Sequence, residues 1–252
     1  MIEIKQPGYC IDNEFYDLIQ PCSDTLYAKL EEDIFDNGCH EPILVWNNII
    51  IDGHKRYSIC QKWEVGFSVK QMHFRERTDA ISYICTTQLK RSDITMEMMK
   101  YLIGKKYQVE SQICIRDASP DNSTYIFRNN KPCNKYETAR IIGLNFAISH
   151  ATVMKYDAFA VAIDSLKEKE PVIASRILSG KSKVSHENTV ELSRLPKEEL
   201  KYLKEIFTNN KVEHIGFSEI RHELRWKHIQ TPVPKEKPTA NIPLRKIPKY
   251  DP

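Results

Sequence analysis

"NIIIDGHKRYSIC" (residues 48–60) decides how the first half of the chain is read. A β-branched run stops at Asp52-Gly53, and His54, Lys55 and Arg56 follow at once. Glycine tolerates positive φ and, lacking a Cβ, lets a ligand approach the backbone. A helix that begins just after such a turn directs free N–H groups and a partial positive charge at it. Lys55 adds a point charge, Arg56 a planar fork suited to phosphate oxygens, and Asp52 stands where it can cap the helix. Two readings are open: a phosphate-binding turn, or a strand end with a solvated cationic tip.

Outward from the turn, the pattern alternates strand and helix. "PILVW" (42–46) and "NIII" (48–51) read as two strands joined by a tight turn. "SDTLYAKLEEDIFDNG" (23–38) reads as a helix capped by Ser23 or Asp24, with Leu26, Leu30 and Ile34 at helical spacing and Gly38 as its stop. "HKRYSICQKW" (54–63) predicts a helix with Tyr57, Ile59, Cys60 and Trp63 inward. "FSVKQMHF" (67–74) predicts a strand with Phe67, Val69, Met72 and Phe74 as core candidates. Helices follow at 79–89 and 93–107, the second with Thr95 as N-cap and Glu97 in its first turn.

At 252 residues the chain has room for two modest domains, and 41% hydrophobic residues predict that most of it folds. No run of eighteen apolar residues occurs, so no membrane partner is expected. "MIEIKQPGYC" lacks a basic segment followed by an apolar one, so no secretion signal is read. Seven cysteines at 10, 22, 39, 60, 85, 114 and 133 include no C-x-x-C pair, which predicts reduced thiols, a cytoplasmic location and no metal site. The charge is uneven. Residues 1–50 carry ten acids against two lysines, a net −8, which leaves +11 for the rest of a chain whose total is +3. A polyanionic partner is therefore expected to meet the later part.

Residues 108–132 are polar and rich in turn formers and read as a linker. From Asn134 to about Asn210 the pattern is helical. "NKYETARIIGLNFAISHATVMKYDAFAVAID" (134–164) carries a helix-turn-helix pattern. Tyr136, Ala139, Ile142, Ile148, Val153 and Tyr156 are its core candidates, and small Ala139 lets the two helices cross closely. "NFAIS" has the length of the tight turn, with Ala147 where glycine is commonest, and Ser149 is the next N-cap. Ser149, His150, Thr152 and Lys155 then lie near the second helix's N-terminus, where base edges and phosphates are reached, and Arg140 is placed to hold a phosphate. An ordinary αα-hairpin is the alternative. Leu200, Leu203 and Phe207 form one stripe of a later helix, and "RHELRWKH" (221–228) reads as a helix end with a buried Trp226. The tail from Thr231 is Pro/Lys-rich and is expected to be disordered or extended, either solvated or adding non-specific phosphate contacts.

Residues 23–107 resemble the N-terminal domain of ParB/KorB-type partition proteins, a superfamily that includes sulfiredoxin. The resemblance rests on the order of "G.HEPILVW", "IIDGHKRY", a strand and "TTQLKRSDIT". It implies an α+β chain: a ParB/sulfiredoxin-like domain (1–107), a linker (108–132), an all-α helix-turn-helix domain (133–228) and an extended basic tail (229–252). The stretch from "AFAVAIDSLKEKEP" through "ILSGKSKVSHENTVELSRLPKEEL" looks like the region that follows the motif in plasmid and phage members. In the family a Gly-x-x-Arg box cradles nucleotide phosphates and a second box adds contacts. Gly53, His54, Lys55 and Arg56 match the first box, and Gln88, Leu89, Lys90 and Arg91 the later part of the second. The resemblance thus implies CTP or ATP contacts at Gly53, His54, Lys55, Arg56, Gln88, Lys90 and Arg91.

The departures limit this. His54 replaces the glutamate of chromosomal members, and Thr86 and Thr87 replace the Glu-Asn that opens the second box. This speaks against Mg²⁺-dependent hydrolysis, and no catalytic residue is assigned. Sulfiredoxin's box needs a cysteine where Gly53 stands, so peroxiredoxin repair is not expected. The expected function is sequence-specific binding of double-stranded DNA by a nucleoid- or plasmid-associated homodimer, in partition or transcription regulation, gated by nucleotide and served by a partition ATPase. The alternative is a nucleotide-dependent hydrolase or phosphotransferase with the helical part as lid or partner site. A protein-bridging adaptor is a third reading.

Overall fold

The computed structural model describes residues 8–116, 127–128, 131–132, 134–209, 216, 218, 220–222 and 224–225. Its first part runs α1 (Asn13–Asp17), α2 (Asp24–Asn37), β1 (Cys39–Trp46), β2 (Ile49–Asp52), α3 (His54–Trp63), β3 (Phe67–Gln71), α4 (Arg77–Gln88) and α5 (Met96–Arg116). Ser23 caps α2 by accepting the Leu26 amide, and Gly38 ends it at φ +83°, a left-handed backbone that costs glycine little. Asn47 and Asn48, at φ 47° and 64°, supply the doubly positive turn that a two-residue hairpin needs. β1 is central in the sheet order β2-β1-β3, antiparallel to β2 and parallel to β3.

The sheet buries its two faces differently. Ile43, Val45, Ile50 and Tyr57 form a cluster with Tyr9 and Phe67 against it, while Ile51 joins the main core under α4 and α5. The 67–74 stretch meets expectation in part: Phe67 packs in β3 and Phe74 packs beyond it against the main core, whereas Val69 is 37% exposed, because the strand occupies a sheet edge. Leu26 and Trp63 are also exposed, although their spacing predicts inward faces.

A short antiparallel pair, β4 (Phe127–Arg128) and β5 (Lys131–Pro132), precedes five helices: α6 (Lys135–Asn145), α7 (His150–Lys169), α8 (Pro171–Leu178), α9 (His186–Ser193) and α10 (Lys197–Asn209). α5 packs on both α4 and α7. Met98, Tyr101 and Leu102 of α5 share one core with Phe159, Ala160, Ile163 and Leu166 of α7. Ile173 and Ile177 of α8, Leu192 of α9, and the expected stripe Leu200, Leu203 and Phe207 of α10 close it. Each such side chain removes from water an area that stabilises the fold by about 1.5–3 kcal/mol. The result is an α+β chain in which a small sheet is followed by helices.

One boundary moves, and two short strands fall where a linker is expected. α5 continues to Arg116, so residues 108–116 extend a helix and do not begin the linker, and β4 and β5 fall inside the rest of it. The apolar face of α5 explains the difference: Val109, Ile113 and Cys114 are buried, which the turn-forming residues further on obscure in the sequence. Cys114 is disulfide-bonded, contrary to the expectation of reduced thiols, while Cys10, Cys22, Cys39, Cys60 and Cys85 are free. Residues 117–126, Trp226 and the tail lie outside the described residues. Among the described residues, no helix is long and apolar enough to cross a membrane.

Candidate ligand cavity and nucleic-acid interface

Gly53 adopts φ +89° as the N-cap of α3, and no side chain caps that helix. Asp52, placed by sequence as the cap, instead faces Arg56 at 3.4 Å. The three residues after Gly53 diverge. His54 is buried, at 2% exposure, and neither ring nitrogen has a hydrogen-bond partner. Burial holds its pKa below 6.5, against the opposing pull of Asp52 and Asp12, with Lys55 lowering it further. The Tyr16 ring stands edge-on to the imidazole, 5.5 Å between centroids. Lys55 Nζ donates to the Gln20 carbonyl at 3.1 Å. Arg56 turns the other way, pairing with Glu41 and reaching the Pro42 carbonyl at 3.4 Å. A Cβ on Gly53 would meet the Arg56 guanidinium at 3.2 Å, so the arginine lies folded over the glycine.

His54 and Lys55 line a cavity of about 610 Å³. Its other walls include Tyr16, Gln20 and Tyr27 from the first part of the chain, and Lys167 and Ser175 from α7 and α8. The cavity is thus built from both halves. Lys167 enters it while paired to Asp17 at 3.2 Å and hydrogen-bonded to the Tyr101 hydroxyl at 3.1 Å. Burial lowers the Lys167 pKa, and Asp17 opposes that shift.

The second box is drawn to the same corner. Gln88 is buried, and its Oε1 accepts the Gln20 amide at 3.1 Å. Arg91 makes a two-pronged pair with Asp93 at 2.8 and 2.7 Å, which holds the Asp93 carboxyl below its ordinary range. Lys90 is exposed. Gly53, His54, Lys55 and Gln88 therefore converge near Gln20, whereas Arg56 and Arg91 are each occupied by carboxylates of the chain. The residues fit an anion only in part: an uncapped helix start and Lys55 favour it, while Lys167 and the two guanidinium groups are already paired with carboxylates. Among the described residues, no group of three or more His, Cys, Asp or Glu is arranged to hold a metal.

The second candidate is the α6–α7 turn. Asn134 caps α6 by accepting the Glu137 amide, and Ser149 caps α7 by accepting the Thr152 amide. Ala147 takes φ +53° between them. Gly143 permits the tightness: a Cβ there would lie 2.6 Å from the Ile148 carbonyl. Ala139, Ile142 and Val153 form a small core with Ile103 and Tyr107 of α5, joined by Phe146, Ile148 and Tyr156. Tyr136, expected in that core, is 57% exposed, and its ring packs on His150 at 4.8 Å.

The five residues assigned to DNA are differently free. Ser149 and Thr152 hydroxyls bond one another at 2.9 Å within the cap. Arg140 forks onto Glu137 at 2.9 and 2.6 Å. His150 is engaged by Tyr136, and Lys155 is exposed. Ala151 and Met154, which sequence reasoning passed over because they carry no polar group, are exposed beside Lys155. Their spacing of three and four residues along α7 is the signal that would have found them.

No family model and no curated protein matches this chain. Solved structures similar to it include two ParB N-domains. A Pnob8-like ParB-N domain is 18% identical over 89% of this chain and 86% of that one, with a TM-score of 0.45. A pNOB8-like ParB N-domain is 18% identical over 79% of this chain and 73% of that one, with a TM-score of 0.43.

Proposed function

We propose that this protein binds duplex DNA in a sequence-specific manner, as a ParB-like partition or regulatory protein. The observation that carries the reading is the α6–α7 unit: two capped helices joined through a left-handed Ala147, with the start of α7 exposed. That geometry suits a helix entering a major groove by its N-terminal residues. Lys155 supplies a donor for base acceptors or phosphate, and Ala151 and Met154 supply apolar contact for thymine methyl groups. Arg140 serves phosphate only after exchanging its Glu137 partner. A homodimer on a repeated site follows from the usual half-site logic of such motifs, and a partition ATPase is the expected protein partner.

The test is a mobility shift with the full chain on DNA flanking its gene, compared with random DNA of equal length. Lys155→Ala is expected to weaken binding to the specific site by roughly tenfold, the cost of one good contact. Wild-type binding no tighter than to random DNA would contradict the reading.

The cavity supports a second role, nucleotide control of the same protein. The uncapped start of α3, Lys55, and Lys167 once it exchanges its Asp17 partner favour an anionic ligand. Calorimetry with CTP and ATP, with and without Mg²⁺, tests it, together with a phosphate-release assay. No heat of binding with either nucleotide would remove this role and leave the DNA reading intact.

A further inference from the structure

Phe35 of α2 and Trp63 of α3 form an exposed aromatic pair. Phe35 is 60% and Trp63 44% exposed, and their rings meet edge to face at 5.3 Å between centroids. The pair is held in place. Trp63 Nε1 donates to Glu31 Oε1 at 2.7 Å, and Lys62 Nζ donates to the same oxygen at 2.6 Å while lying 4.9 Å from the Trp63 ring centroid. A rigid tryptophan that remains exposed is the kind of anchor that concentrates binding energy, because ordering it on binding costs little. Exposed carboxylates stand on the same two helices and at their end: Glu32, Asp33, Asp36 and Glu64.

Aromatic surfaces beside acids suit proline-rich extended segments that carry cations. The aromatic faces take the proline rings, and the acids take the lysines and arginines. This chain contains such a segment. Residues 231–252 read "TPVPKEKPTANIPLRKIPKYDP", with six prolines and five cations against two acids. We infer that the Phe35–Trp63 surface docks this Pro/Lys-rich tail of its own chain. Charge complementarity selects the occupant, since the first fifty residues carry −8 and the tail is cationic. Reach allows it: the twenty-four residues from Arg225 to Lys249 span up to about 80 Å when extended, against a radius of gyration of about 18 Å for a domain of this length. The docking covers an apolar pair that would otherwise face water, and it keeps the tail's cations from non-specific phosphate contacts.

Carbodiimide cross-linking of the full chain, followed by peptide mapping, tests this independently of DNA or nucleotide. The expected products join Lys235, Lys237, Lys246 or Lys249 to Glu32, Asp36 or Glu64. They fall at least fivefold in Phe35→Ala and in Trp63→Ala, with folding checked by circular dichroism, because exposed side chains are being removed. Three results would overturn the inference: no such products, products undiminished in both variants, or products that join two differently labelled copies in preference to one chain.

Discussion

Gly104 on α5 lies so close to α7 that a Cβ added to it would sit 2.2 Å from the Tyr156 carbonyl oxygen. The same added atom would meet the Ala160 Cβ at 2.8 Å, so two helix backbones are in contact with nothing flexible between them. This crossing joins the cavity-bearing half of the chain to the helix proposed to read DNA. Gly104→Ala must push α7 away or strain both helices. It is expected to destabilise the protein by about 1–3 kcal/mol, the usual cost of overpacking. A urea denaturation midpoint equal to wild type would show that the contact can relax.

Ala147 carries a left-handed backbone that costs an L-residue roughly 1–2 kcal/mol and glycine much less. Ala147→Gly is expected to raise stability by roughly 0.5–1 kcal/mol, and Ala147→Val to lower it by more than 1 kcal/mol. Thermal unfolding of the two variants measures both. The opposite order would mean that the turn does not hold this conformation in solution.

His54 makes stability depend on pH in a definite direction. Burial keeps its folded-state pKa below 6.5, so the unfolded chain binds the proton more readily. Its contribution is complete above pH 6.5 and is lost as pH falls through the lowered folded value. Asp52 and Asp12 reduce the shift, and Lys55 adds to it. His54→Leu is expected to flatten the part of the stability curve that falls below pH 6.5. An unchanged acid limb in that variant would assign the loss to other groups.

Much of this was legible before any coordinates. Asn47-Asn48, Gly53, Thr95 and Ser149 announce their turns and caps because each acts on backbone within a few residues. Ala139, Ile142 and Val153 are likewise readable from their spacing on α6 and α7, although Ile103 and Tyr107 of α5 complete their core. Misreadings arise where tertiary neighbours decide. Tyr136 has helical spacing for the core but is exposed, with its ring on His150. Val69 alternates correctly but lies 37% exposed on an edge strand of which Phe67 alone packs. The pairing of Arg56 with Glu41 joins residues fifteen apart, and that of Lys167 with Asp17 joins residues 150 apart. No motif contains such pairs, so the cavity's second wall was hidden although its first box was readable.

The Arg56 clamp gives a test of the nucleotide reading. Its guanidinium is held by Glu41 and lies 3.4 Å from Asp52. Glu41→Gln removes one holding charge and frees the fork for a phosphate. Under the nucleotide reading, CTP affinity by calorimetry should rise several-fold. Equal affinity in wild type and variant would place Arg56 beyond the ligand's reach.

The most direct test of the central claim is selection of the full chain against a library of randomised duplexes, followed by affinity measurement at fixed salt. The account predicts one enriched, repeated motif, bound roughly 10³-fold or more tighter than scrambled duplex, with that preference relaxed in Met154→Ala and Lys155→Ala. Recovery of no motif, or equal affinity for selected and scrambled duplexes, would contradict it.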